Sequence, residues 1–201
     1  NGFRWTVVRC PEAGGAADCW VEENMSYGVV RRARYRWPIE ELTKSRTGDR
    51  LGLSNLPATE EYEANLRLLE LFLNSIPFEF ELTSVYRSPV VNDAVGGSKS
   101  SQHMNALAID MIPEGLSNKE LATWFWAHQD DYPELDQVIW YTDTSHVHIG
   151  VCPPGATGCV SGAPRTRFYV AQDESSSYSR WLPDDASMYE VLEMYTQTRP
   201  R

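Results

Sequence analysis

Two apolar runs rich in β-branched and aromatic residues, DQVIWY (136–141) and HVHIGV (146–151), are separated only by the polar tetrapeptide TDTS. A connection this short can join antiparallel neighbours, whereas parallel strands need a crossover of a dozen or more residues. A hairpin is therefore expected. FEFELTSVY (78–86), which runs into Arg87-Ser88-Pro89, and RTRFYVA (165–171) carry the same strand-forming residue types.

Helical signals alternate with these strands. In EEYEANLRLLELFLNSI (60–76), Tyr62, Leu66, Leu69, Leu73 and Ile76 fall on one stripe, and the acidic residues sit in the first turn, where the helix dipole favours them. SNKELATWFWAHQ (117–129) opens with Ser117 and places Glu120 three residues on, the pattern of a capping box, with Leu121, Trp124 and Phe125 turned to the core. DESSSYS (173–179) reads as a linker, and Pro183 starts a last helix in which Met188, Val191, Leu192 and Tyr195 share a face. Hairpin-linked strands among separate helices make the fold class α+β, a small antiparallel sheet flanked by helices.

Length and charge narrow the functions. A chain of 201 residues can bury one good core. A net charge of −10 argues against nucleic acid or an anionic membrane surface as partner, since the basic groups at Arg31, Arg32, Arg34 and Arg36 are interleaved with aromatics and followed by Glu40 and Glu41. No apolar run is long enough to span a bilayer. The four cysteines fall into two local pairs, Cys10 with Cys19 and Cys152 with Cys159, each closing a loop of small residues. Two disulfides are the expectation, ahead of free thiols and of a four-cysteine zinc knuckle, which usually needs C-x2-C spacing. Disulfides place the chain in an oxidising setting: secreted, periplasmic or virion-borne.

The polar residues that stand out are His103 and Asp110, seven apart in SQHMNALAID. On one strand they would face opposite sides, and on one helix two turns would hold them roughly 10 Å apart. ALAID alternates and follows Gly96-Gly97 and a Ser/Lys-rich turn, so His103 is expected on a loop or short helix folded back beside a strand carrying Asp110. Forty residues on, His146 and His148 lie two apart on a strand and project from one face. A single histidine on a half-buried strand is usually satisfied by its neighbours. Three of the chain's four histidines around one aspartate suggest zinc instead, which in catalytic sites takes three protein ligands and a water. His103, Asp110 and one of His146 or His148 would supply that set.

The run SVYRSPVVNDAVGGSKSSQHMNALAIDM resembles the zinc D-Ala-D-Ala carboxypeptidase family of peptidoglycan peptidases, whose pattern is approximately S-x-Y-R-S, N-x-x-V-G-G and S-x-H-x-x-G-x-A-x-D. DQVIWYTDTSHVHIGV is similar to that family's closing strand pair, which ends in x-V-H-[VI], and IEELTKSRTGDRLGLSNLPATEEYEANLRLL looks like its lead-in in bacterial and phage versions. The resemblance covers about residues 38–171. It implies a domain over 38–172, related to the hedgehog signalling fold, with an extension at 1–37 and a linker and helix at 173–201.

Carried onto this sequence, the resemblance implies zinc held by His103, Asp110 and His148, and Arg87 beside the substrate's carboxylate or carbonyl oxygen. The activity implied is zinc-dependent hydrolysis of peptide bonds in cell-wall peptidoglycan, of carboxypeptidase or endopeptidase type. Many members carry a glutamate base three residues before the last ligand and others six before, where this chain has Ser145 and Thr142. Asp143 and His146 are the substitutes within the same turn and strand. Ala106 stands where the family usually has glycine. The missing carboxylates motivate a rival reading, a catalytically silent zinc module with a binding or structural role in a phage virion or a homo-oligomer.

Overall fold

The computed structural model describes residues 37–143, 145–152 and 166–183 in full, together with the backbone of three strands between residues 4 and 32. Those three, β1 (Arg4–Arg9), β2 (Asp18–Glu23) and β3 (Val30–Arg32), form an antiparallel sheet in chain order. Short helices α1 (Ile39–Leu42) and α2 (Arg46–Leu51) lead into α3 (Glu60–Ser75). Then come β4 (Phe80–Ser84), α4 (Pro89–Ala94), a 3-10 turn over Gln102–Asn105, β5 (Ala108–Pro113) and α5 (Asn118–Ala127). β6 (Leu135–Tyr141), β7 (Val147–Val151), β8 (Arg167–Ala171) and β9 (Ser179–Arg180) complete the order.

The main sheet runs β4-β5-β7-β6-β8-β9. β6 and β7 form the expected hairpin, and every pairing is antiparallel except that of β8 on β6, which is parallel. The mixed sheet with its helices is an α+β fold, and the parallel pair departs from the purely antiparallel sheet expected. Chain order makes the difference, because β8 returns to the sheet after the long segment that follows β7.

Period-two alternation divides the sheet into two faces. Ile109, Met111, Val138, Val147, Ile149 and Phe168 enter the main core. α5 lies against β5, β6 and β7 on that face, with Leu121 and Phe125 fully buried. α3 joins it along the stripe of Leu66, Leu69 and Leu73, Phe72 stacking on Phe125 with centroids 6.0 Å apart. Burying each such side chain contributes roughly 1.5–3 kcal/mol. The capping box of α5 forms as expected: Ser117 Oγ accepts from Glu120 N at 3.2 Å, and Ser117 N donates to Glu120 at 2.6 Å. Trp124 is core, as its place on the helix stripe suggested, being buried against Phe78 and Tyr132.

The opposite face carries Asp110 on β5, His148 on β7, Ile139 and Tyr141 on β6, and Ala171 on β8. Of the cysteine pairs, Cys10 and Cys159 lie outside the described residues, as does the expected C-terminal helix with Met188, Val191, Leu192 and Tyr195. The stretch 173–179 does not behave as a linker. It is a loop anchored at both ends between β8 and β9, and it borders the cleft on this second face.

Candidate metal centre

Asp110 and His148 are direct partners across the β5–β7 ladder, so adjacent strands bring both side chains onto one face. His103 arrives from the 3-10 turn, as the sequence suggested. That turn ends because Ala106 adopts a left-handed conformation (φ 56°, ψ 37°), letting Ala106 N donate to His103 O at 3.1 Å and Leu107 N to Gln102 O at 3.0 Å. The chain then reverses into β5, and the seven-residue separation closes to a contact.

The three groups converge. His103 Nε2 lies 3.1 Å from the Asp110 carboxylate and 3.2 Å from His148 Nδ1, which is 2.8 Å from Asp110 Oδ1. His103 Nδ1 is 2.6 Å from Val85 O, and a carbonyl only accepts, so Nδ1 carries the proton. In the neutral ring Nε2 then offers a lone pair toward Asp110 and His148. Burial pushes the His103 pKa below its usual value, outweighing the upward pull of Asp110, and so favours the neutral, ligating form. For Asp110, burial alone would raise the pKa, but His103 and His148 hold it well below the ordinary carboxylate range.

This donor set fits zinc. Bond lengths of 2.0–2.2 Å in a tetrahedron imply ligand atoms about 3.4 Å apart, close to the separations seen here. Two imidazole nitrogens and one carboxylate oxygen would hold the ion, and all three residues line the cleft.

Arg87 follows β4 and is locked from several directions. Its backbone N donates to His103 O at 3.2 Å, its Nε donates to Ser84 Oγ at 2.8 Å, and its Nη2 donates to Asp110 Oδ2. The guanidinium thus braces the ligand carboxylate while bordering the cleft. His146 is buried beside the His103–Asp110–His148 cluster, its Nε2 3.6 Å from Asp110 Oδ1, its ring against Tyr141 at 4.7 Å. Asp143 is not brought in. It is exposed in the β6–β7 turn, where its Oδ1 accepts from Ser145 N at 2.9 Å.

The cleft encloses about 410 Å³. Gln102 forms part of its floor: the side-chain amide covers Gly150 and donates to Asp136 Oδ2 at 2.8 Å, and the same oxygen accepts from Arg167 Nη2 at 2.8 Å. Sequence reasoning passed over three lining residues, Tyr141, Arg167 and Glu174. Burial and a hydrogen bond with Tyr178 raise the Tyr141 pKa and keep its hydroxyl protonated. Glu174 Oε1 lies 3.7 Å from His146 Nε2. Glu174 lies three residues beyond the expected strand 165–171, behind Gln172 and Asp173, and nothing local in the sequence set it apart.

The sequence model of the family Peptidase M15 matches residues 35–150, more than half of the chain and the whole span from Trp37 through Gly150 that carries Arg87 and the three converging ligands. No curated protein and no solved structure gives a significant match. A family match of this extent, over a His-Asp-His cluster that could hold a metal ion, means that the chain belongs to the Peptidase M15 family.

Proposed function

We propose that this chain is a zinc-dependent peptidase that hydrolyses peptide bonds in bacterial cell-wall peptidoglycan, as a carboxypeptidase or endopeptidase. The observation that carries the reading is the meeting of His103 Nε2, His148 Nδ1 and Asp110 Oδ1 within 3.2 Å of one another at the floor of a polar cleft bordered by Arg87. Zinc bound there would lower the pKa of a water and polarise the scissile carbonyl. The protein's own groups do the rest. The Val85 carbonyl fixes the His103 tautomer, Arg87 braces the Asp110 carboxylate and presents its outer edge to a substrate oxygen, and His146 stands where it can donate to charge developing on that oxygen. Such a substrate lies outside the cytoplasmic membrane, consistent with the oxidising location expected from the cysteines.

Purified chain should contain about one zinc and release amine from peptidoglycan peptides, and His148→Ala should lack both. If that variant lost zinc while hydrolysis continued unchanged, the reading would be wrong. The rival, a silent metal-binding module, draws on Thr142 and Ser145, which put no carboxylate in the turn before His148. Absence of amine release from the zinc-loaded wild type would favour it.

A further inference from the structure

Resting on the peptidase reading, we propose that Glu174 is the proton acceptor of the hydrolytic step, a catalytic carboxylate supplied by the β8–β9 loop rather than by the β6–β7 turn. Hydrolysis at such a site needs a base within reach of the attacking water. The described carboxylates around the cleft can be taken in turn. Asp110 is engaged by two imidazoles and a guanidinium. Asp136 is buried beneath Gln102 and Arg167. Asp143 caps its own turn outside the cleft. Glu174 borders the cleft, is about half exposed, and places its Oε1 3.7 Å from His146 Nε2.

The loop is built to hold it there. Parallel pairing continues past the end of β6 and β8: Thr142 N donates to Ala171 O at 2.9 Å and Asp143 N to Gln172 O at 3.1 Å. The chain after β8 is thereby laid beside the turn that precedes His148. Asp173 Oδ1 then accepts from Ser175 N at 2.9 Å and from the hydroxyls of Ser175 and Ser176 at 2.6 and 3.0 Å, fixing the bend on which Glu174 rides. Tyr178 anchors the far side through Tyr141. His146 Nε2 lies 3.6 Å from Asp110 Oδ1 and 3.7 Å from Glu174 Oε1, so both acids approach the same ring nitrogen and Glu174 is held at the edge of the His103–Asp110–His148 cluster.

In the step itself the water's O–H bond breaks as its oxygen bonds to the scissile carbonyl carbon, and the proton passes to Glu174. That proton then moves to the amide nitrogen as the C–N bond breaks. The products are a carboxylic acid and an amine, with Glu174 returned to its starting state.

Glu174→Gln keeps shape and removes the base. In the zinc-loaded full chain it is expected to lower kcat by about 100-fold or more, with KM and zinc content within about twofold of wild type. A second readout is independent of turnover: acetohydroxamate, which gives up a proton when it ligates zinc, should bind at least about tenfold more weakly to Glu174→Gln by titration calorimetry. Equal hydroxamate affinity, or a wild-type kcat in Glu174→Gln, overturns the assignment. Loss of zinc together with activity would also overturn it, in favour of a structural role for the loop. A wild-type chain that binds zinc and hydroxamate but releases no amine would sink the peptidase reading instead, leaving the hydroxamate comparison to judge Glu174 alone.

Discussion

Gly150→Ala is expected to damage the floor of the cleft by a route that can be followed atom by atom. A Cβ at this position would lie 2.2 Å from Gln102 Oε1 and 2.8 Å from Gln102 Cδ. Contacts this short cannot be absorbed, and Gln102 is buried, so its amide must rotate away from Asp136. Asp136 keeps Arg167 Nη2 at 2.8 Å and is not left an isolated charge. The loss is then one hydrogen bond to a charged group, about 1.5–3 kcal/mol, plus part of an overpacking cost of about 1–3 kcal/mol. The two overlap, so a net destabilisation of about 2–4 kcal/mol is expected, read as a lower urea midpoint at unchanged slope. Because Gln102 adjoins His103, zinc affinity should fall as well. The mechanism is tested by repeating the substitution in a Gln102→Ala background, where the clash is gone and the cost of Gly150→Ala should drop below about 1 kcal/mol. An equal cost in both backgrounds would refute the steric reasoning.

Two further outcomes follow from buried polar groups. Asn55 Nδ2 donates to Thr43 O at 2.8 Å and Tyr86 O at 2.9 Å, while its Oδ1 accepts from Ser88 N at 2.7 Å, so it clamps the backbone on both sides of Arg87. Asn55→Ala strands these partners and should cost about 3–5 kcal/mol in urea unfolding, at 1–3 kcal/mol per unsatisfied buried group. The zinc-free protein should also lose stability on acidification. With His103 depressed in the fold, the unfolded chain binds more protons once pH falls below the ordinary imidazole value of 6.5, and with Asp110 depressed the same holds below 3.8. A thermal midpoint that stays level or rises between about pH 7 and pH 5 would contradict the His103 part of this account.

The ligand cluster was legible because its signals were local. The short turn carrying His103 was marked by the Gly96-Gly97 and Ser/Lys-rich stretch before it and by the alternating strand after it, and the hairpin by the spacing of two apolar runs. The choice between His146 and His148 was not legible from periodicity, since both project from one face. It depends on register, which sets His148 opposite Asp110. The parallel return of β8 onto β6 is a long-range pairing with no local mark. Missing it made DESSSYS read as a linker, because a Ser-rich stretch looks the same whether water satisfies its polar groups or Asp173 gathers them into a bend.

Ala106 shows how the site tolerates a departure from its family's usual glycine. A left-handed backbone costs an alanine roughly 1–2 kcal/mol. Two terms oppose that strain here. The methyl group is fully buried in the core cluster, a contribution of about 0.8 kcal/mol. Alanine also loses less backbone freedom on folding than glycine, by roughly 0.5–1 kcal/mol. The balance is near zero, so the reversal that carries His103 to Asp110 does not depend on glycine. It depends on the bonds that close it, Ala106 N to His103 O and Leu107 N to Gln102 O, and on the Val85 carbonyl that receives the imidazole. Those bonds are the same for either residue. The geometry of the His103–Asp110–His148 cluster is therefore insulated from the substitution, whereas the position of the proposed base, carried on a separate loop outside the family match, is set by β8.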